Sequence, residues 1–146
     1  MKINALMALS LVTASIAVTP ALAQRTTTEP GNYTSVSMIK ILPGQYENYM
    51  DFLAAQWKKQ NEFAKSKGYL TSYHVLSAVD PRANEPDLFL VIEFKDWPTN
   101  AESKRRQDEF VTMMKMDEHQ MDTASGARGP MRTQMGSMTL QEVLLK

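Results

Sequence analysis

Strand-like and helix-like patterns of apolar residues alternate along residues 33–145. Tyr33 to Leu42 is rich in β-branched and aromatic side chains and stops at Pro43-Gly44, which predicts a strand followed by a turn. From Gln45 to Lys67 the apolar positions recur at helical spacing. At about 100° per residue, Met50, Leu53, Trp57 and Ala64 fall close to the direction of Tyr46. That places Tyr46 and Trp57 in the core and Tyr49 on a shoulder of the stripe, while Glu47, Asp51, Lys58, Lys59, Glu62 and Lys65 fill the opposite side. Gly68 supplies a left-handed stop.

Tyr69 to Val79 reads as a second strand, and Asp80 to Pro86, with two prolines, as a turn. Asp87 to Lys95 is the most apolar run after the N-terminal region, as expected of a central strand covered on both faces. Thr99 followed three residues later by Glu102 matches a capping box and opens a helix to about Met121. Asp117 then falls within the apolar stripe unless that helix ends near Met116. Asp122 to Pro130 reads as a small-residue loop, and Arg132 to Leu145 as the last strand.

The predicted fold class is α+β: a ferredoxin-like βαββαβ sandwich, with a four-stranded antiparallel sheet and two helices on one face. Alternation along the third strand aims Leu88, Leu90, Ile92 and Phe94 at the helices and leaves Phe89, Val91 and Glu93 on the bare face. An apolar face of this kind calls for a partner, and a homodimer with the two sheets facing each other is the arrangement it predicts.

The N-terminus changes the picture of location. Lys2 precedes an uncharged stretch from Ala5 to Val18, too short for a bilayer span, and Ala21 and Ala23 place small residues where a signal peptidase needs them. Residues 1–23 therefore read as a signal peptide cleaved after Ala23, 24–32 as a flexible lead-in and 33–146 as one domain. The expected location is periplasmic or secreted. Removing 23 of 146 residues leaves 123, enough for a core without disulfides, and the chain has no cysteine. Sixteen basic residues balance sixteen acidic ones, and losing Lys2 leaves one acid in excess. Without a basic surplus, neither nucleic acid nor an anionic membrane surface is an expected partner.

Leu42-Pro43-Gly44-Gln45-Tyr46-Glu47-Asn48-Tyr49, together with Glu93-Phe94-Lys95-Asp96-Trp97 leaving the third strand, resembles the dimeric α/β-barrel superfamily, which includes antibiotic-biosynthesis monooxygenase-like and NIPSNAP-like domains. The resemblance spans most of residues 33–145. It implies a homodimer with a small pocket between sheet and helices, in proteins that include cofactor-free oxygenases, isomerases, haem-binding enzymes and members with no known activity. Trp97 is similar to a tryptophan of the haem-degrading branch, whose second-helix histidine has no match here. No prosthetic group or other cofactor is expected.

Two polar residues interrupt apolar strands on elements expected to be neighbours. His74 and Glu93 could act as a general base and its orienting carboxylate, or as a bonded strand histidine and an inward charge at an interface. Tyr46, Trp57, Tyr73 and Trp97 could line a pocket for a flat ligand, though helical spacing makes Tyr46 and Trp57 core residues first. The methionine-rich stretch Met113, Met114, Met116 and Met121 with His119 invites copper. A continuous helix, however, sets His119 opposite Met121, and adaptable core filling explains the stripe, so no metal site is expected. The leading expectation is a small-ligand-binding dimer. The alternatives are a cofactor-independent monooxygenase or isomerase acting on a small aromatic or apolar substrate, and a structural dimer with no pocket.

Overall fold

The structure, a computed structural model, describes residues 27–146. The segment expected to be a signal peptide and the first part of the expected lead-in lie outside the described residues. The fold is α+β with an antiparallel four-stranded sheet in the order β2-β3-β1-β4. Its strands are β1 (Thr28–Ile41), β2 (Ser72–Ser77), β3 (Leu88–Phe94) and β4 (Arg132–Leu145). Between β1 and β2 run α1 (Tyr46–Phe52), a π-helical turn (Leu53–Trp57) and α2 (Lys58–Ser66). Between β3 and β4 lie α3 (Asn100–Met114) and α4 (Glu118–Gly126). Among the described residues no helix is long and apolar enough to cross a membrane.

The strand β1 starts earlier than the alternation of its sequence predicts. Thr28, Glu29 and Pro30, within the stretch expected to be a flexible lead-in, pair with Leu145, Leu144 and Val143 at the end of β4. The ladder continues to Ile41 opposite Arg132, with register shifts between Pro30 and Tyr33 and between Met38 and Ile39. Gly136 takes up the second irregularity at φ 137°, a conformation an L side chain rarely adopts.

The core lies on one sheet face. Ile39, Leu88 and Leu90 meet Tyr49 and Leu53, with Ile41, Met50, Phe52, Trp57, Val75 and Met131 around them. Tyr49, only 1 % exposed, holds the central position expected of Tyr46, which is 48 % exposed. The π-helical turn contributes to this. Lys58 N–H reaches back five residues to the Leu53 carbonyl, so a uniform 100° step does not carry across it. At the exit of that turn Asn61 is buried, and its Nδ2 donates to the Trp57 carbonyl at 2.7 Å.

Asp87 fastens the β2–β3 hairpin to β1. It accepts from Lys40 Nζ at 2.9 Å and from the Ile41 N–H at 2.7 Å, while Lys40 also donates to the Glu85 carbonyl at 3.0 Å. Burial pushes the Asp87 carboxyl up, but the hydrogen bonds from Lys40 and Ile41 and the lysine charge outweigh it and hold it below its usual value.

The second helical region divides where a single helix was expected. Gly68, at φ 73°, ends α2 as its sequence requires, whereas α3 ends at Lys115, a non-glycine residue at φ 54°. Asp117 then caps α4: it accepts from Gln120 N–H at 2.8 Å, and Gln120 Oε1 accepts from Asp117 N–H at 2.9 Å. The carboxylate that sat awkwardly in an apolar stripe is thus a helix cap, and α4 occupies most of the segment expected to be a loop.

Leu53→Ala should cost about 2–5 kcal/mol and Asn61→Ala about 1–3 kcal/mol in urea unfolding; an Asn61→Ala midpoint equal to that of the parent would contradict the buried hydrogen bond. Because the folded Asp87 carboxyl titrates below its unfolded value, its stabilisation is present above the usual carboxylate range and lost as pH falls through the folded value. Asp87→Asn should therefore destabilise at neutral pH, with the gap to the parent closing in acid.

Candidate functional site

The third helix is held against α2 mainly by polar groups, and no residue of α3 is buried. Thr99 caps it, its hydroxyl accepting from Glu102 N–H at 3.3 Å. Glu102 turns to Arg106, whose Nε donates to it at 3.1 Å, and that bond holds the Glu102 carboxyl below its usual value. The Arg106 guanidinium lies 4.5 Å from the Tyr69 ring centre. Tyr69 Oη and Lys67 Nζ both bond Glu109 Oε2 at 2.9 Å. The Lys67 and Tyr69 hydrogen bonds lower the Glu109 carboxyl, and its negative charge in turn raises Lys67. Burial, followed by the bond to Glu109, raises the Tyr69 phenol.

These clamps leave open space between the helices. One cleft of about 410 Å³ is lined by Phe63, Ala64, Tyr69, Pro98 and Phe110 among others. A second, of about 400 Å³, shares Phe63 and includes Lys67, Glu109 and Met113. A smaller, more closed cavity of about 200 Å³ lies toward the end of α3, where the break at Lys115 brings Met114, Met116 and Met121 to one space with Phe110. All three volumes suit small molecules. Aromatic and methionine walls with a few converging polar groups are the usual make-up of such sites.

The residues singled out from sequence are placed elsewhere. His74 and Glu93 share the reverse face of the sheet, where His74 pairs with Val91 and Ser72 with Glu93, making His74 and Glu93 diagonal neighbours. His74 is exposed, and the Glu93 carboxylate accepts from Ser72 Oγ at 2.6 Å. Trp57 and Tyr73 do meet, edge to face at 5.3 Å, and Tyr73 Oη donates to Glu62. Trp97 is 60 % exposed beside Tyr33 and Phe94 at the end of β3. Tyr46, Trp57, Tyr73 and Trp97 therefore occupy three separate places, and none lines the clefts between α2 and α3.

Phe63 and Phe110 were the missed residues. Each is an apolar position on a helix, where the sequence pattern does not separate a cavity wall from core packing. Only the shortfall of helix contact around them marks them as walls. Among the described residues no three His, Asp or Glu side chains converge on a metal-sized site. No family model matches the chain, and no curated protein or solved structure matches it at the significance required.

Glu109→Gln removes the negative acceptor that holds the Tyr69 proton. The Tyr69 phenol should then titrate at lower pH than in the parent, followed by ¹³C NMR of the labelled tyrosine rings; an unmoved titration would rule out the Glu109 contact.

Proposed function

We propose that this protein binds small apolar or aromatic ligands between α2 and α3, and that it does so as an exported homodimer of ferredoxin-like build. The observation that carries the reading is the position of α3. Phe110, Val111, Met113 and Met114 would ordinarily be core filling, yet all remain partly exposed, and the core closes without them. Apolar side chains held open by a rim of ion pairs gain by covering a ligand, at about 25 cal/mol per Å² of surface removed from water.

The dimer reading rests on the reverse face of the sheet. Val36, Met38, Leu76, Phe89, Val91, Met138 and Leu140 share it by register. Leu76 and Leu140 are each 52 % exposed and Met138 45 %. The strand order β2-β3-β1-β4 is consistent with a ferredoxin-like sheet that pairs through this face. Facing sheets would enclose His74 and Glu93, where the hydrogen bond from Ser72 already occupies the carboxylate.

A panel of single-ring aromatics and short-chain apolar compounds should include members that raise the melting temperature in a concentration-dependent way, with Phe110→Ser weakening the shift. A flat response across the panel would argue for a filled structural dimer. Native mass spectrometry should show a dimer at micromolar protein, converted to monomer by Leu76→Lys combined with Met138→Lys; a parent monomer would overturn the pairing.

A further inference from the structure

Arg128 lines the methionine-walled cavity, and neither it nor Arg132 has an acid partner among the described residues. Arg128, just beyond α4, lies over the Phe52 ring with its guanidinium 4.7 Å from the ring centre, and Arg132, at the start of β4, lies 5.7 Å from the Tyr49 ring centre. Arg128 Nη1 donates to the Ala124 carbonyl at 2.9 Å and Nη2 to Ser125 Oγ at 3.0 Å, while Arg132 Nη1 donates to Gln134 Oε1 at 3.3 Å. The Nε of each is buried and bonds nothing. No ion pair among the described residues uses either guanidinium, and residues 1–26 contain no Asp or Glu to supply one.

This arrangement is expensive as it stands. Two partly buried positive groups, each with an unused buried donor, carry desolvation and Coulomb costs that the ring contacts and the hydrogen bonds to neutral acceptors offset only in part. Burial and the Arg132 charge both weigh against the charge on Arg128. A planar anion would answer the unused donor of Arg128, since the fixed donors of a guanidinium match a carboxylate in bidentate fashion.

Arg128 also lines the cavity of about 200 Å³, whose other walls include Phe110, Met114, Met116, Met121 and the amide of Gln56. A cavity of about 150 Å³ is enough for one benzene ring, so this space suits one ring or a short chain. We propose that it takes a small monocarboxylic acid, with the carboxylate on Arg128 and the apolar body among the methionines. The assignment rests on the ligand-binding reading above and names the ligand class for one end of that space.

The test uses the purified protein with benzoate and hexanoate, compared with benzyl alcohol and hexanol at matched ionic strength, followed by calorimetry. The acids should bind at least about tenfold more tightly than the alcohols, as charge-assisted hydrogen bonds predict. Arg128→Met should remove most of that preference, and Arg128→Lys should keep part of it. With the unmodified protein, ¹³C-methyl NMR should show acid-induced shifts at Met114, Met116 and Met121, which keeps the test open if a variant fails to fold. Equal binding of acids and alcohols would overturn the carboxylate assignment and leave the ligand-binding reading standing. Inorganic phosphate binding as tightly as benzoate would overturn the apolar half. Shifts confined to Met38 and Met138 would move the ligand to the sheet face and sink the assignment, and no binding of any of these compounds would sink it as well.

Discussion

The π-helical turn at Leu53–Trp57 governs which side chains of the first helical segment meet the sheet. The segment up to its first residue presents Tyr49 and Leu53 to Ile39, Leu88 and Leu90; residues after it turn Asn61 inward, where it must find a partner and does so at the Trp57 carbonyl. The buried cluster is built from that one segment and two strands, β1 and β3. A second helix is not needed to close it, and this explains why α3 can sit at a distance set by charged side chains. The clefts follow from this division of labour: the first helical segment supplies packing, and the second supplies a wall.

Electrostatics at that wall are arranged in compensated groups. Glu102 answers Arg106, and Glu109 answers Lys67 while accepting a hydrogen bond from the Tyr69 hydroxyl. Such exposed pairs contribute little to stability individually, but their geometry fixes the spacing between α2 and α3. Among the described residues, Arg128 and Arg132 differ from the unpaired lysines of the surface, because each keeps a buried Nε without a hydrogen-bond partner.

Much of the fold was legible in the sequence. Arg132–Leu145 was expected as a strand and is one, Gly68 ends a helix, and Thr99 starts one. The parts that escaped reading have physical causes. A uniform helical step cannot foresee a wide turn, so Tyr46 was given the place that Tyr49 holds. The left-handed residue at Lys115 carries no glycine to announce it, although Asp117 with Gln120 three residues later was a readable cap. Alternation begins at Tyr33 and hid the pairing of Thr28–Pro30, because a partner at the far end of the chain leaves no local mark. The candidate site was the least legible part. Phe63 and Phe110 have the same pattern whether they fill a core or face a void, and the difference lies in how near another element comes.

The long ladder between β1 and β4 has a kinetic consequence. Its partners are the first and last strands of the described chain, and the Lys146 N–H reaches the Thr27 carbonyl at 3.0 Å. Loop closure over such a separation is slow, and β1 cannot satisfy its outer edge until the final fourteen residues exist. A nascent chain whose β4 is still inside the ribosome therefore holds an incomplete sheet, and commitment to the native state waits for that strand to emerge.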